Sequence, residues 1–181
     1  MELVLNVKIP NEIVREMDVC RKKYHPSKLS HSHAHITLVP PFILKGRLPD
    51  LIKDIGDVLK HQMSLRMNIN GLSSFDDDVI FFRPSCPSRL KKLRLILKKI
   101  IRIKYRKGGH DKYWMITAYH PHITIAHDKP ENIKRYKKEL NGMKYKRQFD
   151  VNGVNLYVRG GDKRWILKKE LLFGRLGPNA L

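Results

Sequence analysis

The chain has 181 residues, and 37 Lys plus Arg against 17 Asp plus Glu leave a formal net charge of +20, which favours a polyanionic partner such as RNA. Two isolated cysteines, Cys20 and Cys86, exclude a disulfide framework and fit a reducing compartment. The longest stretch free of Asp, Glu, Lys and Arg, Leu29 to Leu44, holds three histidines and two prolines and cannot span a bilayer.

The N-terminus alternates Leu3, Leu5, Val7 and Ile9, which predicts a strand over residues 2–9. It lacks the basic start and longer apolar run of a signal peptide, so a cytoplasmic location is expected. Pro10-Asn11 opens a helix to about Tyr24, with Ile13, Met17 and Cys20 on one side. A polar loop from His25 to His33 leads to a strand carrying His35-Ile36-Thr37-Leu38. Pro49-Asp50 starts a second helix whose apolar residues are Leu51, Ile55, Val58 and Leu59. Strands follow near 63–72 and 79–83, joined by the charged turn Asp76-Asp77-Asp78. Ser88 is placed to cap a basic helix over about 89–101, with Leu90, Leu93, Leu97 and Ile100 apolar. Arg102 to Lys112 reads as a loop, able either to grip an RNA backbone or to lie solvated. A second motif strand holds His122-Ile123-Thr124-Ile125, followed by a helix near 131–140 and strands near 147–158 and 165–173. Gly160-Gly161-Asp162 reads as the hairpin turn between those last two.

The two histidine tetrapeptides lie 87 residues apart and carry most of the functional signal. On a strand, residues alternate between faces, so His35 and Thr37 point away from Ile36 and Leu38, and His122 and Thr124 away from Ile123 and Ile125. One His-x-Thr alone means little, because it needs only two common residue types. Here the surroundings repeat as well. Each motif gives way to a helix and then to an Asn-Gly phrase, Ile69-Asn70-Gly71-Leu72 after 36 residues and Val151-Asn152-Gly153-Val154 after 31. The reading is a duplicated α+β unit, with approximate repeats over 1–88 and 89–181 in one bilobal domain. Two antiparallel sheets would flank a central cleft, with helices outside.

With these two motifs the chain resembles the two-histidine (2H) phosphoesterases, specifically the 2′-5′ RNA ligase-like RNA 2′,3′-cyclic phosphodiesterases. His35 and Thr37 match the family's first His-x-Thr-hydrophobic motif, and His122 and Thr124 match the second. The resemblance runs over nearly the whole chain, although its specific part is eight residues long. Val39-Pro40-Pro41-Phe42 resembles the bacterial ligase-like branch. What it implies is metal-independent hydrolysis of cyclic phosphates on RNA ends or nucleotides, with ligation to a 2′-5′ linkage as the reverse reaction. It implies no cofactor, and it tilts the roles toward His122 as base and His35 as acid. A monomer is expected.

The chemistry fits the residue types. Two imidazoles supply a base for the attacking water and an acid for the departing ribose oxygen, and two hydroxyls can donate to phosphoryl oxygens. Phe42 and Tyr119 flank the motifs and could stack on a base or pack in the core. Arg159, Lys163 and Arg164 sit on the predicted hairpin and are further candidates for substrate contact. Trp114 and Trp165 are expected to be buried, and His127 to be structural. Two other readings stay open: an RNA-end or nucleotide binding module without turnover, and a metal-dependent hydrolase using the alternating histidines His31, His33 and His35 or His120 and His122.

Overall fold

The computed structural model describes residues 1–25 and 31–174. Part of the predicted loop between the first helix and the first motif, residues 26–30, lies outside them. Helices and antiparallel strands mix along the chain as expected, in two sheets ordered β5-β2-β1-β8-β9 and β6-β4-β3-β7.

The first sheet is built on β1 (Glu2–Val7), paired with β2 (Thr37–Leu44) on one side and β8 (Gly153–Arg159) on the other. Leu3, Leu5 and Val7 face the core, while Val4 and Asn6 on the opposite face line a cleft, so both faces of this strand are covered. Pro40 and Pro41 fall on β2 where its register against β1 slips, Leu5 facing Val39 and Leu3 facing Phe42. A proline has no N–H to give a ladder, and a bulge is where a strand tolerates one. β9 (Trp165–Leu172) closes one edge and the short β5 (Arg106–Gly108) the other. In the second sheet, β3 (Leu65–Phe75) pairs with β4 (Val79–Pro84) and β7 (Lys146–Val151), and β6 (Ile123–His127) lines the edge of β4.

Helices tie the sheets together. The helix α1 (Asn11–Tyr24) leaves β1 of the first sheet and packs on β6 of the second. Its buried stripe is Ile13, Met17, Arg21 and Tyr24, whereas Cys20, expected on that side, is only partly covered. After α2 (Leu48–Leu59) comes α3 (Ser88–Ile100), which leaves β4 of the second sheet and packs on β2 of the first. Pro87 occupies the cap position, so Ser88 lies inside the helix and its hydroxyl makes no cap bond, contrary to expectation. One continuous apolar cluster joins Leu5 and Leu38 of the first sheet to Met67, Phe82 and Ile125 of the second.

Two stretches differ from the sequence reading. Arg102 to Lys112 is structured: a π-helical turn Ile101–Tyr105 leads into β5 and then α4 (Asp111–Met115). Ile101 and Tyr105 are buried, and these apolar anchors were obscured by the surrounding Lys and Arg. The strand expected over 147–158 is two strands in two sheets. After α5 (Pro130–Glu139), β7 ends at Val151, and the chain passes at Asn152 into β8 of the first sheet. Phe173 N–H donates to the Asn152 carbonyl at 2.8 Å and Lys8 N–H to that of Gly153 at 3.0 Å.

Gly153 is required by this passage, because a Cβ there would stand 2.5 Å from the Leu171 carbonyl oxygen, a backbone atom with no room to yield. Gly153→Ala should therefore lower unfolding free energy by about 1–3 kcal/mol in a urea titration.

Candidate active site

Both motif histidines are set by the same device. Ile36 and Leu38 are fully buried, as are Ile123 and Ile125, which leaves His35, Thr37, His122 and Thr124 half-buried on the opposite faces. His35 Nδ1 lies 2.7 Å from the His33 carbonyl, and His122 Nδ1 lies 2.9 Å from the His120 carbonyl. A carbonyl only accepts, so each Nδ1 carries the proton and donates it. Each neutral ring then has its lone pair on Nε2, the atom left for chemistry.

Different surroundings hold the two rings. Ahead of His35, Asp18 on α1 accepts from the Ala34 N–H at 2.8 Å and from Arg21 at 2.8 Å, and it lies 2.7 Å from His33 Nδ1. Arg21 also donates to the Ser32 carbonyl at 2.9 Å. The segment whose carbonyl orients His35 is thus pinned to α1. His122 instead sits in an aromatic cage. Phe75 and Phe81 stack on each other at 4.2 Å and meet the imidazole edge-on at 5.1 Å and 5.6 Å.

Burial lowers the pKa of both imidazoles below the ordinary 6.5, and the carbonyl bonds offset only part of this. The nearby charges of Arg21 and His122 lower His35 further, and that of His120 lowers His122.

Two adjoining hollows share Thr37. A small one of about 90 Å³ is lined by His35, Thr37, Asn6, Tyr157 and Trp165. A larger one of about 420 Å³ is lined by Thr37, His122, Phe75, Arg94 and Tyr119. The Tyr119 hydroxyl donates to the Thr37 carbonyl at 3.0 Å, linking the segment before the second motif to the first motif strand. Thr124 lies opposite Phe81 in the β4–β6 register and lines neither hollow.

Among the flanking candidates, Tyr119 lies in the cleft. Phe42 does not: it is fully buried with its ring edge-on to Trp114, which leaves it no face for a substrate. Arg159 is held by Glu2 at 2.8 Å, Lys163 stands in the hairpin turn with φ of +66°, and Arg164 pairs with Asp162 at 3.1 Å. None of the three lines either hollow. Trp114 is buried as expected. Trp165 is not: its backbone N–H donates to the His31 carbonyl at 2.9 Å, and its partly exposed ring lines the hollow beside His35. His127 stacks on His25, whose Nδ1 accepts the His127 N–H at 2.8 Å. Among the described residues no three His, Cys, Asp or Glu side chains converge on one point.

Arg94 was missed by the sequence reading. The signal was there: on α3 it stands among Leu90, Leu93 and Leu97, a charged residue on the apolar face of a helix. Arg21 breaks the stripe of α1 in the same way.

Residues 9–163 match the family model described as the 2′-5′ RNA ligase superfamily. Solved structures with the same fold include TT0787 of Thermus thermophilus (15% identity, 97% of this chain and 99% of that one, TM-score 0.67). Escherichia coli LigT, complexed with NADP+, is similar at 15% identity over 96% of this chain and 98% of that one, with a TM-score of 0.66. A structure described as a phosphoesterase aligns at 16% identity over 95% and 97%, with a TM-score of 0.61. No protein of curated function matches the chain in sequence. Among the described residues no helix is long and apolar enough to cross a membrane.

In a histidine titration followed by NMR, His35 and His122 should both protonate below 6.5, taking the proton at Nε2. The folded state then binds fewer protons than the unfolded one just below 6.5. The contribution of these rings to stability is complete above 6.5 and is lost as the pH falls.

Proposed function

The chain belongs to the 2′-5′ RNA ligase superfamily of two-histidine phosphoesterases, and we propose that it is a metal-independent phosphodiesterase opening 2′,3′-cyclic phosphates on RNA ends or nucleotides. The observation that carries this reading is the pair of imidazoles fixed at Nδ1 by backbone carbonyls, each with no partner at Nε2 among the described residues. One Nε2 removes a proton from water as the water oxygen bonds to phosphorus. The other, protonated, gives its proton to the ribose oxygen as the P–O bond breaks. Both rings present the same atom, so the base is whichever faces the attacking water, and that depends on which ribose oxygen leaves. The Thr37 hydroxyl, which borders both hollows, donates to a non-bridging oxygen as charge grows, and Thr124, outside the hollows but two residues from His122, is assigned the same role by the repeat of the motif. With a 5′-hydroxyl in place of the water, the same ring opening would join two ends through a 2′-5′ linkage, but in water hydrolysis prevails. We place the protein in the cytoplasm, acting as a monomer.

A binding module would have no use for two rings held in the same tautomer. A metal-dependent hydrolase would draw on His31, His33 and His35, yet among the described residues no three His, Cys, Asp or Glu side chains converge on one point. Both features favour the two-histidine mechanism.

The test is turnover of a short RNA ending in a 2′,3′-cyclic phosphate, in excess chelator. Opening to a monophosphate should persist, and His35→Ala or His122→Ala should reduce it about 10²- to 10⁴-fold. Loss of wild-type activity on chelation would point to a metal enzyme, and RNA binding without turnover to a binding module. A second readout is pH. With both free-enzyme imidazoles lowered, kcat/KM should trace a bell whose maximum lies on the acid side of 6.5.

A further inference from the structure

Arg94 is 4 % exposed and has no carboxylate beside it among the described residues. The other buried arginine, Arg21, is neutralised by Asp18 at 2.8 Å. The guanidinium of Arg94 instead lies over the Tyr119 ring at 4.7 Å, and its Nε has no hydrogen-bond partner among the described residues. Burial depresses its pKa, but an arginine in a protein keeps its charge. A buried cation without a counter-charge is costly, and the ring offsets only part of that cost. The missing partner is an anion. Arg94 faces the place where one would sit, since it lines the larger hollow together with His122 and Thr37.

The cationic surface continues outward from that point. At 100° per residue, Lys91, Lys98 and Arg102 fall within about 80° of Arg94 around the helix, on the flank that opens to the cleft. Lys98 Nζ donates to the Ile116 carbonyl at 2.9 Å, and Ile116 lines the same hollow. Lys91 and Arg102 are exposed. From Val79 to His110 the sequence has no Asp or Glu, so nothing along this helix competes for a phosphate. A rise of 1.5 Å per residue spaces Arg94, Lys98 and Arg102 about 6 Å apart, within reach of successive phosphates of an extended strand.

We propose that α3 and its π-helical turn form a track for the phosphate backbone of an RNA strand. Arg94 holds the phosphate next to the reacting one, Lys98 and Arg102 hold those beyond it, and Lys91, one turn back along the helix, adds its charge beside Arg94. The substrate is then the end of an oligoribonucleotide rather than a cyclic mononucleotide. This rests on the phosphodiesterase reading and narrows it.

The experiment compares kcat/KM for an oligoribonucleotide of about ten residues ending in a 2′,3′-cyclic phosphate with that for adenosine 2′,3′-cyclic phosphate. The wild type should prefer the oligomer by at least about tenfold at low salt. In the surface double variant Lys91→Ala/Arg102→Ala that ratio should fall several-fold, and Arg94→Met should lower it further if the variant remains folded by circular dichroism. The salt slope of binding to a labelled oligoribonucleotide with a 3′-phosphate should flatten by about 1.4 when the two surface cations are removed. An unchanged ratio in the double variant overturns the track. If neither substrate turns over, the phosphodiesterase reading fails, and the labelled oligomer still decides the track: unchanged affinity in the double variant overturns it, weakened affinity sustains it. Loss of binding to phosphatidylserine vesicles with RNA affinity intact would assign the surface to a membrane and also overturn it.

Discussion

A histidine that works at Nε2 has to be held at Nδ1, and two carbonyl oxygens do this for the whole site. Neither carbonyl belongs to a side chain, so neither can be tuned by substitution at its own position. Their placement depends on the backbone two residues before each motif. For the first motif that backbone is secured by Asp18, whose contacts with Ala34, Arg21 and His33 fix residues 32–34 to α1. For the second, Tyr119 anchors the approach by donating to the Thr37 carbonyl. The two arms differ, yet they deliver the same tautomer. Fixed hydrogen bonds of this kind orient the ring before the substrate arrives, so little reorganisation is left for the reaction itself.

Holding each ring is not enough, because acid and base must also keep their mutual distance. That distance is set by the connections between sheets. α1 leaves one sheet to pack on the motif strand of the other, and α3 does the reverse. The chain crosses again at Asn152, where β7 hands over to β8. Each motif strand is therefore buttressed by a helix that began in the opposite sheet. A hinge opening between the sheets would have to break the apolar cluster that spans them, and a densely packed core resists such opening.

This architecture explains what was legible in the sequence and what was not. The motif strands announce themselves because Ile36, Leu38, Ile123 and Ile125 alternate with the polar pair, and alternation is a local property. α2 was legible for the same reason, with its proline at the start and Leu51, Ile55 and Leu59 at helical spacing. The hand-over at Asn152 was not, because the apolar pattern runs on through Val151 and Val154 and carries no mark of which sheet each residue joins. Trp165 was misplaced because a tryptophan on a strand reads as core, whereas here its ring borders a hollow that exists only once the hairpin meets residues 31–35. Arg94 was missed because the helix carries so many cations that the one on its apolar face did not stand out.

Charge completes the design. Many carboxylates of the chain are engaged elsewhere: Glu2 with Arg159, Glu16 with Arg147, Asp54 with Lys104, and Asp57 with Lys53 and Lys60. Among the described residues no Asp or Glu lines either hollow, while Arg94 and both motif histidines do. The cleft by itself disfavours a proton on either ring, chiefly because burial strips the charged form of water, and neighbouring cations add to this. A bound phosphodiester brings a negative charge to close range and draws a proton onto the nearer ring. By linkage, a proton on that ring must tighten the phosphodiester by the same factor. The acid needed for the leaving oxygen would then be charged chiefly when there is a substrate to use it.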